Sequence, residues 1–318
     1  MKRIPVIGLF IAGGLMIYVF GCSEKDNQIV DPQTSSSTTK SSISSVITSD
    51  DFFLTEEPNL EDGQAMPLEY GSGLGKTDSA IIPFRFGKKI DKVERNTTYF
   101  QPSDSVVIAT TTRTITGRFF IAGSYSGSGK FIDTLIRKPF VETETRVARF
   151  VRVDSTGLPP WKGWRLTQLS LLKGGTANTD VVINQAVIFL PSGDSLLVTS
   201  PNDYFLNVNK RPHQVPEIHR GDQLLIQVTL TSTQVDTEVV FLRYGADRRG
   251  FNRFRQRFHL VSQTQNGSTY TRVYEISVKA HWNFGRFNAV VEAITHQSIF
   301  DDTAPFDNNY WGVPYVVR

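Results

Sequence analysis

Side chains able to do chemistry are sparse in this chain and gather in four places. Cys22 is the one cysteine, so any thiol chemistry, acylation or redox, belongs to that position. Arg253, Arg255 and Arg257 alternate through Phe254-Arg255-Gln256-Arg257-Phe258-His259-Leu260. Strand alternation places them with His259 on one face, and Phe254, Phe258 and Leu260 on the other. Such a row of guanidinium groups suits phosphate or carboxylate polymers, including anionic glycans. The plainer reading is a solvated face whose charges discourage edge pairing. Trp161 and Trp164 flank Lys162-Gly163 after a Pro-Pro turn; they either stack on sugar rings or anchor a strand start in the core. Asp301, Asp302 and Asp307 form an oxygen-rich loop with Asn308 and Asn309. Calcium takes about six to eight oxygen ligands, but an Asx-rich turn uses the same residues.

Other patterns carry less. Gly71-Ser72-Gly73-Leu74-Gly75-Lys76-Thr77 has the look of a phosphate loop, yet Gly71 and Gly75 stand one residue too close for a Walker A wrap. Arg220-Gly221-Asp222 matches an integrin-recognition triplet, and equally a turn that enters a strand. The histidines, at 213, 219, 259, 281 and 296, form no metal-ligand spacing. No Gly-x-Ser-x-Gly elbow occurs. The expectation is therefore no catalytic residue and no cofactor, with a site assembled by folding left open.

The elements that position these groups begin with a leader. Lys2 and Arg3 precede an apolar run from Ile4 to Phe20, broken by Pro5, Gly8, Gly13 and Gly14. That is the form of a secretory signal peptide, and the run falls short of the roughly twenty residues a spanning helix needs. Its end, Val19-Phe20-Gly21-Cys22, resembles the lipobox of bacterial lipoproteins, with Val19 as the branched residue and Gly21 as the small one. Phe20 departs from the small residue usual at its place. The resemblance implies that Cys22 receives a diacylglycerol and becomes the mature N-terminus, so the membrane is a partner through lipid. Ser23 resembles the residue of lipoproteins passed to the outer membrane. The implied location is the bacterial cell envelope, on the periplasmic face or at the surface.

A net charge of +3 provides no field to gather nucleic acid, and none is expected as a partner. Residues 23–50 are polar and rich in Ser and Thr, which predicts a disordered tether, and 51–80 read as irregular. From Ile81 onward, runs of β-branched and aromatic residues alternate with Gly and Pro turns. They include Val106-Val107-Ile108, Thr110 to Thr116, Phe119-Phe120-Ile121, Thr134 to Phe140 and Arg146 to Val153. Leu224, Ile226, Val228 and Leu230 then alternate, as do Tyr274, Ile276 and Val278. The predicted fold class is all-β with very little helix: two β-sandwich-like domains in tandem, 81–208 and 209–318, after the tether. The second stretch resembles bacterial immunoglobulin-like modules, at Gly221-Asp222 and at Gly285, Phe287, Val291 and Ala293. That resemblance implies a sandwich and no particular chemistry.

The functional expectation is a non-catalytic, lipid-anchored envelope protein engaged in binding or assembly, with an envelope protein or an anionic glycan as partner. The alternatives are an envelope glycan-binding protein or glycan hydrolase using Trp161, Trp164 and nearby acids, and a structural spacer.

Overall fold

The structure is a computed structural model, and it describes residues 35–55, 60–61, 66–67, 81–125, 131–153, 163–208 and 214–318. The leader with Cys22, the Gly71–Thr77 stretch, Trp161 and His213 lie outside the described residues. The rest is all-β, as its alternation predicts, and is arranged in two sheets.

Three long strands dominate the first half: β2 (Ile82–Ser103), β3 (Val106–Ser124) and β4 (Thr134–Arg152), consecutive and antiparallel. A two-residue β1 (Met66–Pro67) pairs with β2. Shorter strands follow: β5 (Trp164–Ser170), β6 (Leu172–Thr176), β7 (Val181–Phe189), β8 (Ser195–Val198) and β9 (Phe205–Asn207). The remainder contributes β10 (Glu217–Ile218), β11 (Gln223–Ser232), β12 (Val239–Tyr244), β13 (Phe254–Arg257), β14 (His259–Asn266), β15 (Thr269–Lys279), β16 (Gly285–Ile294) and β17 (Asn308–Val317). The wide sheet has the order β1-β2-β3-β4-β6-β17-β16-β12-β13, with β5, β9 and β10 attached to its path; the second sheet runs β14-β15-β11-β7-β8.

This order corrects the expected division at residue 208. β6 pairs with β17 and β7 pairs with β11, so each sheet takes strands from both sides of that boundary. The chain from Pro32 to Arg318 is one compact unit. Strands that each need a covered face found their partners across the sequence, which local periodicity does not encode.

The wide sheet has two covered faces, and β17 shows how. Trp311, Val313, Tyr315 and Val317 join Leu224, Ile226, Val228, Tyr274 and Ile276 of the five-stranded sheet in one apolar cluster, which makes the sandwich. The alternate residue Tyr310 joins Phe86, Phe119, Phe140, Phe241 and Phe306 in a second cluster. That cluster exists because the wide sheet curls on itself. Phe86 of β2 and Phe241 of β12 lie 5.6 Å apart between ring centroids, and the Arg255 guanidinium of β13 sits 4.1 Å from each ring. Arg255 Nη1 also donates to the Phe86 carbonyl at 3.3 Å. The two ends of the sheet meet through side chains and enclose a barrel-like chamber. Its wall is tight at Gly174 of β6, where a Cβ would collide with the Tyr310 ring.

Residues 37–47 are the second correction. They form helix α1 (Ser37–Ile47), and Asp51–Leu54 form α2. Ser36 caps α1, its Oγ accepting from Thr39 N–H at 3.2 Å. Ile43 and Ile47, four residues apart on one helical face, are 0 % and 2 % exposed. With Phe52 and Phe53 they belong to the cluster that holds Val107 and Ala109 of β3, Phe150 of β4, and Trp164 and Leu166 of β5. Each fully buried side chain of this size contributes about 1.5–3 kcal/mol of transfer free energy, enough to fold a Ser/Thr-rich stretch onto the sheet. Only the part of the expected tether before residue 35 falls outside the described residues. A third helix, α3 (His296–Phe300), follows β16. The Lys138 ammonium closes its C-terminal end, donating to the carbonyls of Ser298 at 2.8 Å and of Asp301.

Candidate functional site

Ionisable side chains come together most densely inside the chamber. On β4, the even positions Phe140, Glu142, Glu144, Arg146, Ala148 and Phe150 share the buried face, so alternation carries two carboxylates inward. Lys88 enters from β2 and Glu292 from β16. Lys88 Nζ lies 2.8 Å from Glu142 Oε1 and 2.8 Å from Glu292 Oε1. Arg243 Nη2 of β12 lies 2.8 Å from Glu292 Oε2, and Arg113 of β3 pairs with Glu144. Asn308 Nδ2 donates to Glu142 at 2.7 Å and to Glu292 at 2.6 Å. Tyr310 Oη donates to Glu144 at 3.1 Å. Three cations thus face three carboxylates, a balance that keeps each charge compensated away from water.

The carboxylates differ in proton affinity. Burial pushes the Glu142 carboxyl above its ordinary range, and the Glu292 charge adds to that, against Lys88. Burial alone would also raise Glu292, but Arg243 and Lys88 outweigh it and hold the carboxyl well below the usual range. Burial works against the Lys88 ammonium, yet Glu142 and Glu292 leave its pKa raised. In principle such a pair is an acid and a base. Here every one of these side chains is shut from solvent, at no more than 4 % exposure, and a substrate has no approach. The cluster does structural work.

The sequence-predicted site residues are dispersed. Arg253, Arg255 and Arg257 are half-buried, while Phe254 is exposed, which inverts the expected alternation. The reason is that β13 pairs with β12 of the wide sheet and β14 with β15 of the other. The chain changes sheets at Phe258, which is 2 % exposed. Arg253 donates to the carbonyls of Gly250, at 2.7 Å, and Glu61. Arg255 is held between Phe86 and Phe241, and burial lowers the pKa of Arg257. No open guanidinium row results. Trp164 is 7 % exposed within the core cluster, so its ring is not open to a sugar.

The acidic loop also fails to converge. Asp301 Oδ1 accepts from Thr303 N–H and Oγ1 and from Ala304 N–H, at 2.7–3.1 Å. Asp302 accepts from Tyr125 Oη at 2.7 Å. Asp307 accepts from Thr176 Oγ1 at 2.6 Å and Asp180 N–H at 3.0 Å. The three carboxylates are engaged with three different sets of partners, and among the described residues no group of His, Cys, Asp or Glu is arranged to hold a metal. Gly221 of the Arg-Gly-Asp triplet has φ +78°, and Asp222 accepts from His219 N–H at 2.7 Å. Both features belong to a turn.

A surface cavity of about 780 Å³ is lined by Asp194, Glu217, Tyr204, Phe205 and Arg318, among others. Its acids are engaged: Asp194 accepts from Ser192 Oγ at 3.0 Å, and Glu217 pairs with Arg318 at 2.9 Å. Strand edges complete the described surface. The outer edge of β2 is studded with Lys89, Asp91, Lys92, Glu94 and Arg95, charges that oppose pairing. The five-stranded sheet ends in β8 on one side and, on the other, in β14, all eight of whose residues are exposed. Sequence reasoning missed β14, because its polar composition hides it behind the arginine-rich stretch. No protein-family model matches the chain, and no curated protein matches it.

Proposed function

We propose that the chain is a lipid-anchored cell-envelope protein that works by binding or assembly, not by catalysis. The observation that carries the binding half is β14. This strand, His259-Leu260-Val261-Ser262-Gln263-Thr264-Gln265-Asn266, pairs on one side only, with β15. It has neither proline nor Lys, Arg, Asp or Glu, and Leu260 and Val261 are 43 % and 57 % exposed. Such an edge offers main-chain donors and acceptors to an extended segment of a partner protein. It is held in place from beneath: Arg272 of β15, 0 % exposed, donates to Gln263 Oε1 at 2.6 Å and pairs with Glu238. The leader, through Cys22, supplies the location, and two or three acyl chains would hold the protein at the membrane. The sealing of the clustered carboxylates supports the non-catalytic half.

The test has two arms. Metabolic labelling with an alkyne-bearing palmitate is expected to mark the full chain, and Cys22→Ser is expected to abolish the mark; a native N-terminus at Met1 without acyl adduct would overturn the placement. The solubilised full chain is then used to capture envelope proteins. Leu260→Lys with Val261→Lys, both at exposed positions, is expected to release the captured partner without lowering the thermal midpoint. Undiminished capture by that variant would overturn the β14 reading.

A further inference from the structure

Aromatic side chains are left in solvent at one end of the sandwich. Phe251, Phe254, Trp282 and Phe284 are between 43 % and 67 % exposed. Apolar residues scattered singly are ordinary on a protein surface, but a group of them marks a surface of contact. These four sit on turns that the fold brings together. Phe251 belongs to the β12–β13 turn, 245–253, and Phe254 opens β13. Trp282 and Phe284 lie on the β15–β16 connection, 280–284. The Phe254 ring stacks on His281 with 6.2 Å between centroids, and a Cβ on Gly245 would collide with Phe254 and crowd His281, so the two turns adjoin. The β10–β11 turn, 219–222, joins them. Gly221 N–H donates to the Ala280 carbonyl at 3.1 Å, and Ala280 N–H to the Asp222 carbonyl at 2.8 Å. The Arg220 guanidinium lies 3.0 Å from the centre of the Phe284 ring.

Other guanidinium groups flank the aromatics. Arg248 pairs with Asp51, and Arg286 with Asp50 at 3.4 Å, whereas Arg220 and Arg249 are exposed outside those pairs. The acids of the turns are occupied. Asp247 accepts from Arg249 N–H at 2.8 Å and from Phe251 N–H at 3.0 Å, and Asp222 accepts from His219 N–H at 2.7 Å. Apolar rings on turns with cations beside them match a phospholipid surface. Trp settles at the headgroup level, arginine pairs with phosphate, and each cation near an anionic leaflet adds to the attraction. The chain also brings a bilayer within reach. Asp50 and Asp51 fasten α2 to this end, and the 11 residues of α1 before them span about 16 Å. Only residues 23–34 then separate Ser35 from Cys22, a reach of at most about 45 Å.

We propose that this end of the sandwich lies against an anionic phospholipid surface, with Phe251, Trp282 and Phe284 in the headgroup layer and Arg220 and Arg249 on phosphate. The proposal rests on the lipid anchor at Cys22 for the nearness of the bilayer, and adds the orientation that an anchor alone leaves free.

The full chain is mixed with vesicles of phosphatidylethanolamine and phosphatidylglycerol whose acyl chains are brominated near the headgroup. Its tryptophan fluorescence is compared with that in the same vesicles without bromine. Trp282→Phe keeps an apolar ring and removes the reporter, so the difference between the two proteins is the quenching at Trp282. That quenching is expected to saturate with lipid. It is expected to fall by about half or more in Arg220→Glu with Arg249→Glu, and in about 1 M salt, where screening shortens to about 3 Å. Phe251→Ser with Phe284→Ser is expected to reduce it too, and both pairs of substitutions, at exposed positions, are expected to keep the thermal midpoint. No quenching at Trp282, or quenching that neither pair nor salt reduces, would overturn the proposal. So would a Trp282 that the vesicles leave unquenched and that envelope protein shields from iodide, which would give the surface to a protein partner. Flotation of the same samples reads the anchor separately. A chain that floats with Trp282 unquenched overturns this surface alone, and one that is quenched without an acyl adduct overturns the anchor alone.

Discussion

Replacing Lys88 by methionine removes the ammonium that lies 2.8 Å from both Glu142 and Glu292 and keeps most of the side-chain volume. Glu292 retains Arg243 at 2.8 Å and Asn308 at 2.6 Å. Glu142 retains Asn308 at 2.7 Å. Taking one partner from a buried pair costs about 3–5 kcal/mol, because a charge is left uncompensated. For a body of this size that corresponds to a fall of about 6–20 °C in the thermal midpoint. The loss should depend on pH. Without Lys88, the already raised Glu142 pKa rises further, and a raised carboxyl contributes stability below its unfolded pKa that is lost as pH rises through the folded value. Lys88→Met is therefore expected to be more harmful at about pH 8 than at about pH 5. Adding Glu142→Gln deletes the stranded charge while keeping an acceptor for Asn308, and should recover more than half of the loss. Circular dichroism melts of the single and double variants decide the matter. A single variant within about 2 °C of wild type, where 1 kcal/mol alone is worth that much, or a double variant no better than the single, would refute the account of the chamber as a charge-balanced core.

Two further outcomes are expected. Ile43→Ala should destabilise the protein by about 2–5 kcal/mol, and Ile43→Asp should expose Lys40 to trypsin; rapid cleavage at Lys40 in the wild type would show that α1 is not docked. Because His281 has a folded pKa of about 4 against an ordinary 6.5, the folded state binds fewer protons than the unfolded one between those values. Its contribution is intact above that window and lost as pH falls through it. The thermal midpoint should fall less between about pH 7 and about pH 4.5 in His281→Phe than in wild type, and parallel profiles would rule the linkage out.

Much of the fold class is legible in alternation. Leu224, Ile226, Val228 and Leu230 of β11 are all buried, as are Tyr274, Ile276 and Val278 of β15. The long strands are less legible, because polar residues interrupt their apolar runs. The stretch Val141 to Thr145 looks like a break between two strands, yet β4 continues through it. Glu142 and Glu144 face inward there because Lys88 and Arg113 meet them, and those partners come from β2 and β3. The clue was parity: Phe140, Ala148 and Phe150 flank the two glutamates on the same face. α1 was hidden for the opposite reason. Its apolar stripe is a single turn long, and what folds it is contact with β3, β4 and β5, not its own propensity. The arginine positions were misplaced because a strand that changes sheets at Phe258 also changes which neighbours its alternate residues meet.

β17 has no solvent side over most of its length, since Asn308 to Tyr315 are all buried. A slip of one residue in a strand exchanges its two faces. Here that exchange would send Trp311 and Tyr315 among the chamber ions and bring Asn308 and Tyr310 into the sandwich. A strand covered on one face has its alignment policed from a single direction; β17, like its neighbours β16 and β12, is checked twice, and an insertion or deletion that satisfied one compartment would spoil the other. A length change within the ten residues of β17 should thus be far less tolerated than one in the turn at Gly267.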